Sequence, residues 1–247
     1  MSSMPSDPLP PPQTQINGHG EEEPLLGHRP PPPISDDEAV CHTLFRNLYT
    51  STALLAQIGG LAFVIVVWVA NLKQPLMLFT AHPLLNAIGV LLLLESTLLL
   101  QPTHTPKQKH TGAIVHSILN GTAFILMYSA FVVIFVNKLN HHGAHFESAH
   151  AIIGLTTYIL MFLQATVGIV QFYLPNVVGG EANAKAIYKY HRISGYLILL
   201  FILATAISVT YTPYIAYVLK IRTWFVALCS VVILAGVLPR VSLKKLW

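Results

Sequence analysis

Charge is what this sequence has least of. Only 10% of its 247 residues are Asp, Glu, Lys or Arg, where a soluble domain carries about 25%. A water-exposed surface of normal composition is therefore excluded for much of the chain. With 53% hydrophobic residues and a mean hydropathy of +0.59, lipid is the expected solvent. Cysteine is also scarce. Cys41 lies in a polar stretch and Cys229 in an apolar run, so no disulfide framework is implied. The first residues lack the apolar core of a cleavable signal, and insertion is expected to begin with the first spanning helix. The net charge of +4 does not indicate a nucleic-acid partner. The basic residues sit in short connectors between apolar runs, where they set membrane topology.

Residues 1–45 differ from the rest. Pro10-Pro11-Pro12 and Pro30 to Pro33, mixed with Gly, Gln and Glu, leave too little apolar surface to fold, so a disordered Pro-rich tail is expected. Six apolar stretches follow, at 48–70, 75–100, 112–136, 149–173, 190–211 and 221–238. Each is near the roughly 20 residues a helix needs to cross a bilayer. Continuous apolar runs without alternation exclude a β-barrel. The fold class is an all-α membrane protein, a six-helix transmembrane bundle over residues 46–240 with a short C-terminus at 241–247. Counting Lys and Arg gives ten on the side of the N-terminus and four opposite, at Lys73, Lys138, Lys220 and Arg222. The positive-inside rule then puts both termini in the cytoplasm.

Twelve histidines are present, and four stand at or just inside the start of different helices: His82, His116, His150 and His191. Helix parity places His82 and His150 at the non-cytoplasmic level and His116 and His191 at the cytoplasmic one. Each pair comes from two non-adjacent helices at one depth. That suits a flat cofactor held between facing imidazoles, so the central four helices form a haem-binding core with two haems. Gly154 and Gly195 follow His150 and His191 at i+4, on the same helix face. Asn86 and Asn120 occupy that position after His82 and His116, with Gly112 and Gly121 near the latter. Small neighbours let a porphyrin edge approach. With both axial positions filled, such an iron transfers electrons and leaves no site for oxygen. Zinc is poorly served by two His per level. The alternative, a six-helix transporter or structural protein without haem, explains the hydropathy but not the parity.

These residues resemble the cytochrome b561 family, especially its single-domain eukaryotic members. The matching stretches are Thr80-Ala81-His82-Pro83, Ile114-Val115-His116, Ser148 to Leu155 around His150, and Tyr190 to Tyr196 around His191. The resemblance implies an ascorbate-dependent transmembrane oxidoreductase with two haem b groups. Cytosolic ascorbate would be the donor, and monodehydroascorbate or a ferric chelate the acceptor on the other side. The implied ligand pairs, His82 with His150 and His116 with His191, coincide with those from parity. A homodimer is compatible with this reading.

Secondary features follow. An anionic donor needs cations near the inner pair, and Lys189, Arg192, Lys185, Lys107 and Lys109 are the candidates, although topology alone also explains them. Glu95 is the one acid well inside an apolar stretch, near the inner level. It serves proton release, a bond to a neighbouring helix or a snorkelling end. His141, His142 and His145 with Glu147 form a polar loop that could hold a metal ion near the outer pair. Glu21-Glu22-Glu23-Pro24-Leu25-Leu26 looks like an acidic dileucine signal, favouring a vacuolar, lysosomal or endosomal membrane over the plasma membrane. Cys41 is a candidate for palmitoylation.

Overall fold

The sequence Ser35-Asp36-Asp37-Glu38 can start a helix on its own, because its Ser and Glu side chains satisfy the first exposed backbone N–H groups. In the structure, a computed structural model describing residues 35–242, it does so. Glu38 N–H donates to Ser35 Oγ at 3.2 Å, and Ser35 N–H donates to Glu38 Oε2 at 3.1 Å. Helix α1 runs Asp36–Arg46, with Cys41 exposed on it. The expected disorder up to residue 45 is corrected at its end: Asp36–Arg46 form a helix. The Pro-rich runs and the Glu21 to Leu26 motif lie outside the described residues.

Six helices long and apolar enough to cross a membrane follow. They are α2 (Ala53–Leu72), α3 (Ala81–Leu100), α4 (Pro106–Asn140), α5 (Ala149–Tyr173), α6 (Glu181–Ser208) and α7 (Thr223–Val237). Short 3-10 turns extend α3 backward to Leu78, α6 forward to Tyr211 and α7 to Arg240. Among the described residues there is no strand. Two helices outrun the expected bounds. Helix α4 has 35 residues, about 52 Å at 1.5 Å per residue, and starts at Pro106 instead of 112. Thr105 and Gln108 form a reciprocal capping box, with Pro106 in the first turn. Those local bonds continue the helix into polar sequence that hydropathy assigns to a loop. Helix α6 likewise begins at Glu181 instead of 190.

Exposed Tyr49, Tyr173 and Tyr190 ring one end of the bundle, and exposed Tyr211, Tyr217 and Trp224 the other. Aromatic belts of this kind sit at the two membrane–water interfaces. The helices associate mainly as α3 with α4, α5 with α6, and α2 with both α7 and α3. Small residues bring α2 and α7 together, as expected where lipid removes the hydrophobic drive. A Cβ on Gly236 would lie 2.3 Å from the backbone nitrogen of Ala56. Cys229 is buried in this seam. Arg240 fastens the same end: its guanidinium donates to the carbonyls of Thr50 and Asn47 at 2.8 Å each and of Leu98 at 3.1 Å.

The middle of the four-helix core is a solid apolar layer. Val90 from α3, Met127 from α4, Met161 from α5, and Ile198 and Ile202 from α6 are buried against one another. This plug separates two polar levels, one toward each end.

Candidate functional site

Ser148 caps α5 by accepting from Ala151 N–H at 3.1 Å, which fixes His150 in the first turn. Pro83 sits in the first turn of α3, where its missing N–H costs no helical bond, and His82 precedes it. The two imidazoles face one another across the bundle. Their ring centroids are 6.4 Å apart and their planes are 85° to one another. A metal between two Nε2 atoms needs about 6 Å between centroids, from bonds of roughly 2 Å and half a ring on each side. The separation matches that requirement for one metal atom.

The Nδ1 atoms agree with that use. His82 Nδ1–H donates to the carbonyl of Ala130 at 2.9 Å, and His150 Nδ1–H to that of Thr205 at 3.1 Å. A ligating imidazole characteristically donates its other N–H in this way, which fixes the tautomer and ring orientation. Both rings line one open space. About 960 Å³ of unfilled space, part of it open to the side, surrounds them. Its lining includes Phe63, Met127, Gly154, Tyr158 and Phe225. Asn86 joins the cluster: its Nδ2 donates to His82 O at 2.9 Å, and its Oδ1 accepts from Tyr158 Oη at 2.8 Å.

The second level is built by the same rule, inverted. His116 Nδ1–H donates to the carbonyl of Ser96 at 3.2 Å. Asn120 Nδ2 donates to His116 Nε2 at 2.7 Å, so an amide stands where a metal would be. Asn120 Oδ1 in turn accepts from Ser96 Oγ at 2.8 Å. His191 enters this end of the bundle from α6. Its ring packs on Gly168 of α5, where a Cβ would come within 3.0 Å of Cε1. His191 Nδ1 is buried without a hydrogen-bond partner among the described residues, while Gln164 Nε2 donates to the His191 carbonyl at 2.6 Å. At the His82–His150 level both Nδ1–H groups are thus bonded to carbonyls, whereas at the other level His116 Nε2 is engaged by Asn120 and His191 Nδ1 has no hydrogen-bond partner among the described residues.

The histidines at this end are deeper in their helices than expected. His116 and His191 each stand about three turns beyond the first residue of their helix, Pro106 and Glu181, because α4 and α6 project past the hydrophobic span. Sequence reasoning missed Gly168, Gln164 and Ser96, since their roles depend on which helix faces which. Of the glycines it chose, Gly154 lines the outer space. Gly195 faces Gln164 and Gly121 faces open space. Gly112 instead packs against Leu100 and Leu44, making room for α1.

The remaining candidates are dispersed. Lys107 pairs with Asp37 of α1 at 2.9 Å and Lys185 with Glu181 at 3.2 Å. Lys189 Nζ lies 5.0 Å from the centre of the Tyr190 ring. Lys109 is exposed near the start of α4, and Arg192 follows His191. Glu95 accepts from Gln57 Nε2 at 2.7 Å, tying α3 to α2. In the α4–α5 loop, His141 Nδ1–H donates to Asn137 O at 2.8 Å and His145 stacks on Phe135. Among the described residues no group of three or more His, Cys, Asp or Glu side chains is gathered to hold a metal ion. His141, His142, His145 and Glu147 are thus not gathered into one cluster in this structure.

The profile of the eukaryotic cytochrome b561 family matches residues 81–214, a span containing all four histidines. The mouse transmembrane ascorbate-dependent reductase CYB561 is 29% identical over 150 residues, 60% of this chain and 55% of the relative. The maize ascorbate-specific transmembrane electron transporter 2 is 27% identical over 131 residues, 53% of this chain and 54% of the relative. A putative transmembrane ascorbate-dependent reductase CYB561 homolog of Caenorhabditis elegans is 24% identical over 180 residues, 64% and 65% of the two chains. The chain spans about half the length of the first two relatives and about two thirds of the third. With the family profile covering more than half its residues, including both histidine levels, this chain belongs to the eukaryotic cytochrome b561 family.

Proposed function

We propose that residues from about 46 to 240 carry electrons across a membrane between two haem b groups, from ascorbate or a close analogue to an acceptor on the opposite side. Family membership implies haem b. Its number and ligands are our reading: His82 with His150 at one level, His116 with His191 at the other. The observation that carries it is the outer pair, 6.4 Å between centroids with both Nδ1–H groups bonded to carbonyls.

When bound, haem b supplies a one-electron carrier at each level. The protein's part is to hold it still and dry. Backbone carbonyls of Ala130, Thr205 and Ser96 orient three of the imidazoles, so little geometry changes as charge comes and goes. The layer of Val90, Met127, Met161, Ile198 and Ile202 excludes water between the levels. At the Lys- and Arg-rich end, Lys189 and Arg192 beside His191 suit an anionic donor, with Lys109 nearby. Lys107 and Lys185 already hold carboxylates. The same charge bias supports cytoplasmic termini, which puts ascorbate in the cytosol and monodehydroascorbate or a ferric chelate outside it.

Vesicles loaded with ascorbate test this. Protein inserted with the basic end inward should reduce an external ferric chelate, and the purified protein should show a haem Soret band. A colourless protein, or one that transfers no electrons, contradicts the proposal.

A further inference from the structure

Along the chain, Lys73, Lys220 and Arg222 read only as topology markers. The structure brings them together. Lys73 caps the C-terminus of α2, and Lys220 and Arg222 lead into α7. All three line one half-open groove of about 890 Å³ between those helices, with Gln74 and Trp224. The groove lies at the His82–His150 end. Its inner wall is shared with the space around that pair, through Val66, Ile221 and Phe225.

The charges there are uncompensated. None of the three cations has a hydrogen-bond or ion-pair partner among the described residues. The fourth basic residue of this face, Lys138, donates to the carbonyl of Ala144 within its own loop. The one acid of this face, Glu147, belongs to that same α4–α5 loop. Three cations around a concavity raise the local concentration of anions and speed their arrival. Apolar Val66, Ile221 and Phe225 form the wall between the groove and the histidine gap.

We propose that this α2–α7 groove is the docking site of the electron acceptor, and that it selects small anions such as anionic ferric chelates. The inference rests on the electron-transfer reading above and adds where the electron leaves. It leaves through the seam of the two outer helices, not through the His141–His145 loop. The step moves one electron and no atom. Chelated Fe(III) becomes Fe(II), and the donor at the opposite face replaces the electron.

The test is stopped-flow reoxidation of pre-reduced, haem-loaded protein in vesicles, with two acceptors of opposite charge, ferricyanide and hexaamminecobalt(III). In the Lys220→Gln/Arg222→Gln double variant, ferricyanide reoxidation should fall on the order of tenfold at low salt and lose its salt dependence. Reoxidation by the cobalt cation should hold or rise. Lys220→Arg with Arg222→Lys should restore the ferricyanide rate. Equal ferricyanide rates in wild type and double variant overturn the groove assignment, as does equal slowing with both acceptors. Vesicles with and without phosphatidylglycerol separate the two sources of anion. A substitution effect confined to phosphatidylglycerol vesicles makes a lipid headgroup the occupant and overturns the acceptor role. A preparation without haem absorption removes the underlying reading itself, whereas haem-loaded protein indifferent to acceptor charge removes the groove alone.

Discussion

His82 on α3 donates its Nδ1–H to the carbonyl of Ala130 on α4 at 2.9 Å, and Ala130 stands about four turns beyond His116 on that same helix. The relation repeats. His116 bonds Ser96, about four turns beyond His82, and His150 bonds Thr205, about four turns beyond His191. Four turns span about 21 Å of helix. Helices α3, α4 and α6 thus each carry a histidine at one level and a carbonyl that bonds a histidine at the other, so the two levels fix one another's depth. On α5 the residue at the same offset from His150 is Gln164, which bonds the backbone of His191 instead of its ring.

Because each pair belongs to one level, His150→Ala should remove one haem and spare the other. Haem content per protein should fall by about half, and the remaining haem should still be reduced by ascorbate from the basic end. His191→Ala should also halve the haem, but ascorbate reduction should then fail. A pyridine haemochrome assay with ascorbate titration checks both.

Tyr158→Phe removes a hydroxyl that donates to Asn86 Oδ1 at 2.8 Å. The loss should cost about 1 kcal/mol. Asn86 also bonds His82 O, so the outer midpoint potential should shift while the inner one stays. Spectroelectrochemical titration reads the two separately.

Gly236→Val would drive side-chain carbons into Ala56, whose nitrogen already lies 2.3 Å from an ideal Cβ there. Overpacking of this kind costs about 1–3 kcal/mol. The thermal midpoint should drop while the haem spectrum of the folded fraction is unchanged.

Arg240→Met leaves the carbonyls of Asn47, Thr50 and Leu98 without their donor. A cost of about 1–3 kcal/mol is expected, again read as a lower thermal midpoint with haem content retained.

Hydropathy alone carries the six spans, and α5 begins and ends where its apolar run does, at Ala149 and Tyr173. The parity of four histidines is also legible, because helix direction alternates by necessity once connectors are short. What hydropathy hides is local chemistry at helix starts. The capping pairs Ser35 with Glu38 and Thr105 with Gln108 are present in the sequence, yet they compete with a polar composition that reads as tail or loop. The bonds to Ala130 and Thr205 leave no trace in the sequence, since a backbone carbonyl carries no side-chain signature. Gly168 is hidden for another reason: its partner, His191, comes from the neighbouring helix. Lys73 lies far along the chain from Lys220 and Arg222, and only the pairing of α2 with α7 unites them.

Metal held at two depths by imidazoles from alternate helices is the central claim, and electron paramagnetic resonance of the oxidised protein tests it most directly. Two low-spin ferric signals of equal weight are predicted. The outer one should be the highly anisotropic type that near-perpendicular imidazoles produce, given their 85° interplanar angle, and it alone should vanish in His82→Ala. A single signal, a high-spin iron, or two signals that both survive that substitution would contradict it.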